Sequence, residues 1–206
     1  MKIQSIEIPL LASLKKGFNF YKNIIESSSF RHFSIPLDCS QLVDLDIQDQ
    51  LSKAKKSKYD LPENLKISFF RQLDLQNGES WLINNKACLY FFEYSKIQSE
   101  FILDGYRKYL TSNKERNGSG LKRLPSLDTE ILYVGKVKRN IGSRLSTHFG
   151  YAHPHTGGLQ LKYWARQMNL QMTVHIIAFN EDIGDFINPL ELELTKLLKP
   201  LIGKSK

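Results

Sequence analysis

The chain has 206 residues, 41% hydrophobic and 24% charged, with a formal net charge of +8. That composition is globular and provides for one generous domain or two small ones. No apolar run is long enough to span a membrane, Gln4, Ser5 and Glu7 interrupt any signal-peptide pattern, and two cysteines (Cys39 and Cys88) make no disulfide framework, so a cytoplasmic protein is expected.

Residues 1–80 read as an α/β region without a legible motif. Apolar spacing predicts a short strand over 3–11, a helix over 11–25, a second helix over 41–54 and a strand over 64–73, with a turn at Asn77-Gly78. From residue 87 the pattern sharpens. Residues 87–92 form a short apolar run that predicts a buried strand, and 99–110 predict a helix. Residues 111–129 are polar and contain Asn117-Gly118-Ser119-Gly120, a flexible-loop signature. A strand is predicted over 130–137, helices over 141–149 and 157–168, and an alternating strand over 171–179. Asn188-Pro189 predicts a last helix with Asn188 as its cap, running to Lys199 and stopping before Pro200. Three short strands covered by helices make a compact α/β layer.

Charge is concentrated where the chemistry-bearing residues lie. Residues 131–206 carry ten basic and five acidic groups, or +5, and 131–180 carry six basic groups and no acidic one. Such a patch favours a polyanionic partner, DNA or RNA; a solvated basic face without a partner is the alternative. Tyr133-Val134-Gly135-Lys136 reads as a strand stopping at a glycine, and the helix that follows carries Arg144 and His148. A phenol, an ammonium, a guanidinium and an imidazole thereby share one surface suited to a phosphate. Lys138 and Arg139 are candidates for phosphate contacts and otherwise a solvated pair. Tyr163-Trp164 between Lys162 and Arg166 reads as an aromatic-basic nucleic-acid surface, with Trp164 packed on the sheet as the alternative. Glu191 follows Asn188 by three residues, which also fits a capping box, so the pattern alone leaves capping and metal binding open. Glu193, on the other flank of the apolar stripe, is the reserve carboxylate.

Three motifs in order carry a resemblance. Cys88-Leu89-Tyr90, then Tyr133-Val134-Gly135-Lys136 with Arg144-Leu145-Ser146-Thr147-His148-Phe149, then Leu190-Glu191 through Leu194 to Pro200 resemble the GIY-YIG nuclease family. The middle segment is similar to the N-terminal nuclease domain of the bacterial excision-repair incision subunit, and GIY-YIG restriction endonucleases are also similar. The resemblance implies an α/β (α+β) domain over 81–206, built on a three-stranded mixed or antiparallel sheet flanked by helices. An insert falls at about 95–129, and residues 1–80 become an α/β extension for target recognition or structural support.

It also implies a metal-dependent endonuclease cutting phosphodiester bonds, most readily in double-stranded DNA, in a restriction, defence or repair role. Tyr90 and Tyr133 would supply the base or water-orienting group and its hydrogen-bond partner, with Lys136 as the neighbouring cation. Arg144 would hold the scissile phosphate, and His148 would bind a phosphate or relay a proton. Glu191 would hold one Mg²⁺ or Mn²⁺. A homodimer is one arrangement that two cuts in a duplex call for. Two other readings stay open. One is a GIY-YIG-like module that binds nucleic acid without cutting it, consistent with Cys88 in place of the family's glycine and with no asparagine near Gly203. The other is a nuclease for RNA or branched DNA.

Overall fold

The structure, a computed structural model, describes residues 30–42, 85–95, 98–112, 117–122, 125–152, 155–180 and 183–203. The elements expected over 3–25 and 64–78 lie outside them, as does the helix expected over 41–54 apart from Gln41 and Leu42, which end a 3₁₀ turn. In chain order the described elements are β1 (Phe30–Asp38), a 3₁₀ turn (Cys39–Gln41), β2 (Cys88–Tyr94), α1 (Ser99–Ser112), β3 (Ile131–Val137), α2 (Ile141–Phe149), the single turn α3 (Leu161–Trp164), β4 (Gln171–Phe179) and α4 (Ile187–Leu198).

The fold is mixed α+β. Its sheet has four strands in the order β1-β4-β2-β3, all antiparallel, where three are expected. The additional strand, β1, comes from the region read as a separate extension. It lies at the sheet edge, where Pro36 is tolerated because a proline cannot serve a central ladder. Phe33, Ile35 and Leu37 alternate into the core, while the residues between them are exposed.

The sheet is buried on two sides. One face packs Tyr90, Phe92, Val174 and Ile176 against Tyr106 of α1, Leu145 and Phe149 of α2 and Trp164 of α3. On the other, Leu89, Ile177 and Phe179 meet Ile187, Leu190 and Leu194 of α4. Each large apolar side chain fully removed from water contributes about 1.5–3 kcal/mol. Exposed ion pairs such as Lys138–Asp185 and Lys196–Glu193 contribute far less, so the two cores hold the sheet and its helices in register.

Local signals explain where the helices that carry the site begin and end. Asn140, in a left-handed conformation (φ 61°), accepts Ser143 N–H at 3.0 Å through its side chain and caps α2. Gly150 (φ 99°) closes the other end, its N–H bonding Ser146 O at 3.1 Å. The helix expected over 157–168 is reduced to α3, because Gln160 takes a left-handed conformation (φ 57°) just before it and Asn169 (φ 50°) follows soon after. At α4 the expected cap is displaced. The helix starts at Ile187 with Phe186 at the cap position and no side-chain cap bond, which puts Asn188 inside the first turn. Pro189 is accommodated there because the first N–H groups of a helix have no intrahelical partner. Lys199 (φ 46°) then ends α4 ahead of Pro200.

Candidate active site

Tyr133, Arg144 and Glu191 line one cleft of about 320 Å³. Its walls come from four stretches of chain: Gly118, Ser119, Gly120 and Lys122 from the insert, Tyr133 and Val134 from β3, Glu191 and Thr195 from α4, and Pro200, Ile202 and Gly203 beyond it; Arg144 and Gly157 complete the rim. β3 is an edge strand, so its backbone is open to these segments. Leu201 and Ile202 donate to Ile131 O and Leu132 O at 2.8 Å, covering one half of that edge.

Behind the cleft a buried network holds Arg144. Tyr90 is fully buried, and its phenol oxygen accepts Arg144 Nε–H at 2.9 Å. The same oxygen lies 2.9 Å from His148 Nε2, while Leu159 N–H donates to His148 Nδ1 at 3.2 Å. A neutral ring with Nδ1 accepting carries its proton on Nε2, so His148 donates to Tyr90. Two donors on one oxygen fix the phenol, and the phenol fixes the guanidinium, whose terminal nitrogen also donates to Gly157 O at 3.2 Å. Burial, with the Tyr133 phenol adding to it, pushes the Tyr90 hydroxyl well above its ordinary value against the pull of Arg144. Tyr90 therefore stays neutral and acts as a positioning group.

His148 is completely buried with both ring nitrogens engaged. Direct phosphate contact, one of the two roles expected of it, needs an exposed ring. Burial, then the Arg144 charge, drive its pKa far below the usual 6.5. The sign of the linkage follows: the unfolded chain takes up a proton near pH 6.5 that the folded chain refuses, so stability is lost as pH falls below that point. Urea unfolding should show a loss from this group that steepens below pH 6.5 toward about 1 kcal/mol per pH unit. His32, also held below its ordinary value by burial and by His175, adds in the same direction. His148→Asn should flatten the slope; an unchanged slope would contradict a neutral, buried His148.

Tyr133 is the half-exposed phenol, its ring 4.8 Å from that of His148 and 6.4 Å from that of Tyr90. On the same strand Gly135 lies directly under Tyr90. A Cβ there would fall 2.5 Å from Tyr90 Cζ and 2.8 Å from Tyr133 Cε1, and the Tyr90 ring, enclosed in the core, cannot retreat. Gly135→Ala should therefore cost about 1–3 kcal/mol by urea unfolding and displace Tyr90 from Arg144. A fully stable variant would show that the two rings are not clamped as described.

Lys136 donates to Glu191 Oε2, joining β3 to α4. Because α4 begins at Ile187, Glu191 is its fifth residue, past the third helical position that a capping box requires. Its side chain is 14% exposed on the cleft wall. The reserve carboxylate, Glu193, does not line the cleft; it is 62% exposed and pairs with Lys196 at 2.6 Å.

The other expected cations lie apart. Lys138 pairs with Asp185 at 2.8 Å on the surface, and Arg139 is exposed beside it. Lys162 and Arg166 line a second cleft of about 410 Å³ with Ser40, Tyr163, Gln167 and Asn169, sharing no residue with the first. Lys162 is buried, with its ammonium 4.7 Å from the Tyr163 ring centroid and 5.1 Å from that of Tyr151, and Trp164 is packed in the core.

Cys39 and Cys88 are buried thiols not joined in a disulfide, each pushed up to about 12 by desolvation, and neither lines the cleft. Among the described residues no helix is long and apolar enough to cross a membrane. Sequence reasoning missed Lys122, Thr195 and the Gly118-Ser119-Gly120 wall. Thr195 had a signal, since it lies four residues after Glu191 on one helix face. Compared with protein-family models, curated proteins and solved structures, the chain matches none.

Proposed function

We propose that this protein is a metal-dependent endonuclease that hydrolyses phosphodiester bonds in DNA through a GIY-YIG-like site. The observation that carries the reading is that Tyr133, Arg144 and Glu191, distant in sequence, line one cleft, with Tyr90, His148 and Lys136 bonded behind them. The charge of the lining supports it. Among the described residues of the lining Glu191 is the one carboxylate and Lys136 pairs with it, while Arg144 and Lys122 bring two further positive charges. A lining of that sign draws in a polyanion.

Glu191, the carboxylate that lines the cleft among the described residues, would hold the metal. One carboxylate suits Mg²⁺ or Mn²⁺, hard cations that keep several waters and take oxygen ligands. Bound at Glu191, such an ion would supply Lewis-acid polarisation of the phosphate and of the leaving oxygen. Lys136 holds the Glu191 carboxylate in place for it. Arg144 is held by Tyr90, Gly157 and the Tyr133 phenol, which orients its fork toward a phosphate oxygen whose charge grows in the transition state. Tyr133 is placed to hold the attacking water through its phenol oxygen. Attack by water forms the new P–O bond as the P–O bond to the sugar breaks; the water gives a proton to solvent in the open cleft and the departing sugar oxygen takes one up, leaving a phosphate monoester and an alcohol.

The test is a panel of end-labelled substrates (duplex DNA, single-stranded DNA, branched DNA and RNA) at one stated salt concentration, in Mg²⁺ and in EDTA. Cleavage of duplex DNA in Mg²⁺ alone is the expected result. Binding without cleavage in either Mg²⁺ or Mn²⁺ would replace the enzyme with a nucleic-acid-binding module, and preferential cutting of RNA or branched DNA would reassign the substrate.

A further inference from the structure

We propose that Lys122 is a second phosphate-binding cation of the cleft, gripping a neighbouring phosphate of the DNA strand whose scissile phosphate Arg144 holds; this rests on the nuclease reading above. Lys122 belongs to the insert, and no motif in the sequence points to it. The insert is pinned across the cleft rim. Ser119 N–H donates to Gly158 O at 2.8 Å on the Arg144 side, and Gly203 N–H donates to Gly120 O at 3.0 Å on the α4 side, where Leu121 bridges to Ile202. Tyr106 Oη–H holds the middle, donating to Ser119 O at 2.7 Å. Lys122 is thus presented by anchored backbone.

Its charge is uncompensated. Lys136, Lys138 and Lys196 are each paired with a carboxylate. Lys122 donates instead to a neutral acceptor, Pro200 O at 2.5 Å, as Arg144 does to Gly157 O and Tyr90. Among the described residues, those two are the lysine and arginine side chains that line the cleft. Desolvation by burial lowers the Lys122 pKa, so its ammonium lacks full solvation without gaining an anion. A phosphate would supply that anion. The competing role is structural: Lys122 could serve only as a cation at the C-terminal end of α4.

Binding separates the two. A fluorescent 30-base-pair DNA duplex is titrated in EDTA, which suppresses cutting, across 50–200 mM KCl. Lys122→Gln should weaken binding about three- to tenfold at 100 mM KCl and reduce the slope of log K against log [KCl] by about 0.9, the signature of one lost phosphate contact. Lys122→Arg should restore most of both, and Lys122→Met provides an independent charge deletion if the Gln variant melts early. Wild-type affinity and slope in a folded Lys122→Gln or Lys122→Met variant would overturn the proposal and leave the nuclease reading standing. Weaker binding with an unchanged slope would assign Lys122 to structure alone, which also overturns it. If the wild type neither binds nor cuts DNA, both readings fall.

Discussion

Arg144→Ala should slow the proposed DNA cleavage about a thousandfold while the protein stays folded. The size of the effect is that of removing a preorganised donor or an arginine from a phosphoryl-transfer transition state. The side chain is placed for this because its orientation is fixed from behind: Tyr90, itself held by His148, takes Nε–H, and Gly157 O takes a terminal N–H. Losing Arg144 leaves the buried Tyr90 oxygen with His148 as its remaining donor, a stability loss of about 1–3 kcal/mol that two packed cores can absorb. Arg144→Lys should remain slow, because a compact ammonium lacks the planar fork whose separated N–H groups reach Tyr90, Gly157 and a phosphate from one fixed orientation. Single-turnover rates on labelled duplex DNA, paired with circular dichroism, check this. Cleavage by Arg144→Ala within tenfold of wild type would remove Arg144 from the chemistry.

Glu191→Gln is the second large effect. The substitution keeps the shape of the side chain and deletes its charge, so Mg²⁺-dependent cleavage should again fall about a thousandfold or more. Binding should move the other way. With the carboxylate gone, Lys136 is no longer neutralised, and the cleft gains a positive charge. DNA affinity at low salt should therefore rise in the same variant that has lost activity. If Glu191 acted only near the start of α4, the change would alter stability by a few tenths of a kcal/mol and leave the rate untouched. The two accounts thus differ in rate and also in the direction of the affinity change.

The legible part of the fold was what local chemistry specifies. Strong alternation, as in Met172, Val174, Ile176 and Ala178, predicts β4, and the helix expected over 141–149 is where α2 runs. What escaped depends on partners distant in sequence. β1 has only three inward residues and a proline, and becomes a strand by pairing with β4. The start of α4 was misplaced by one of the better local signals: Asn188 has the chemistry of a cap, yet Ile187, buried against Ile183 and Phe179, extends the helix past it.

The site divides in the same way. The motif residues Tyr90, Tyr133, Lys136, Arg144, His148 and Glu191 converge on one cleft and its backing network. The division of labour among them was not visible, because only burial separates Tyr90 and His148, enclosed and positioning, from Tyr133, which faces the cleft. Lys122 was hidden by its setting in a polar, glycine-containing stretch that reads as flexible until the bridges to Gly158 and Ile202 are seen.

The most direct measurement is the fate of supercoiled plasmid DNA incubated with the purified protein, first in EDTA and then with Mg²⁺ added to the same sample. Intact plasmid in EDTA and nicked or linear plasmid after Mg²⁺ is the predicted outcome. Plasmid that stays supercoiled after Mg²⁺ or Mn²⁺, or that is cut equally well in EDTA, would contradict a cleft in which Glu191 holds a metal and Arg144 holds the phosphate.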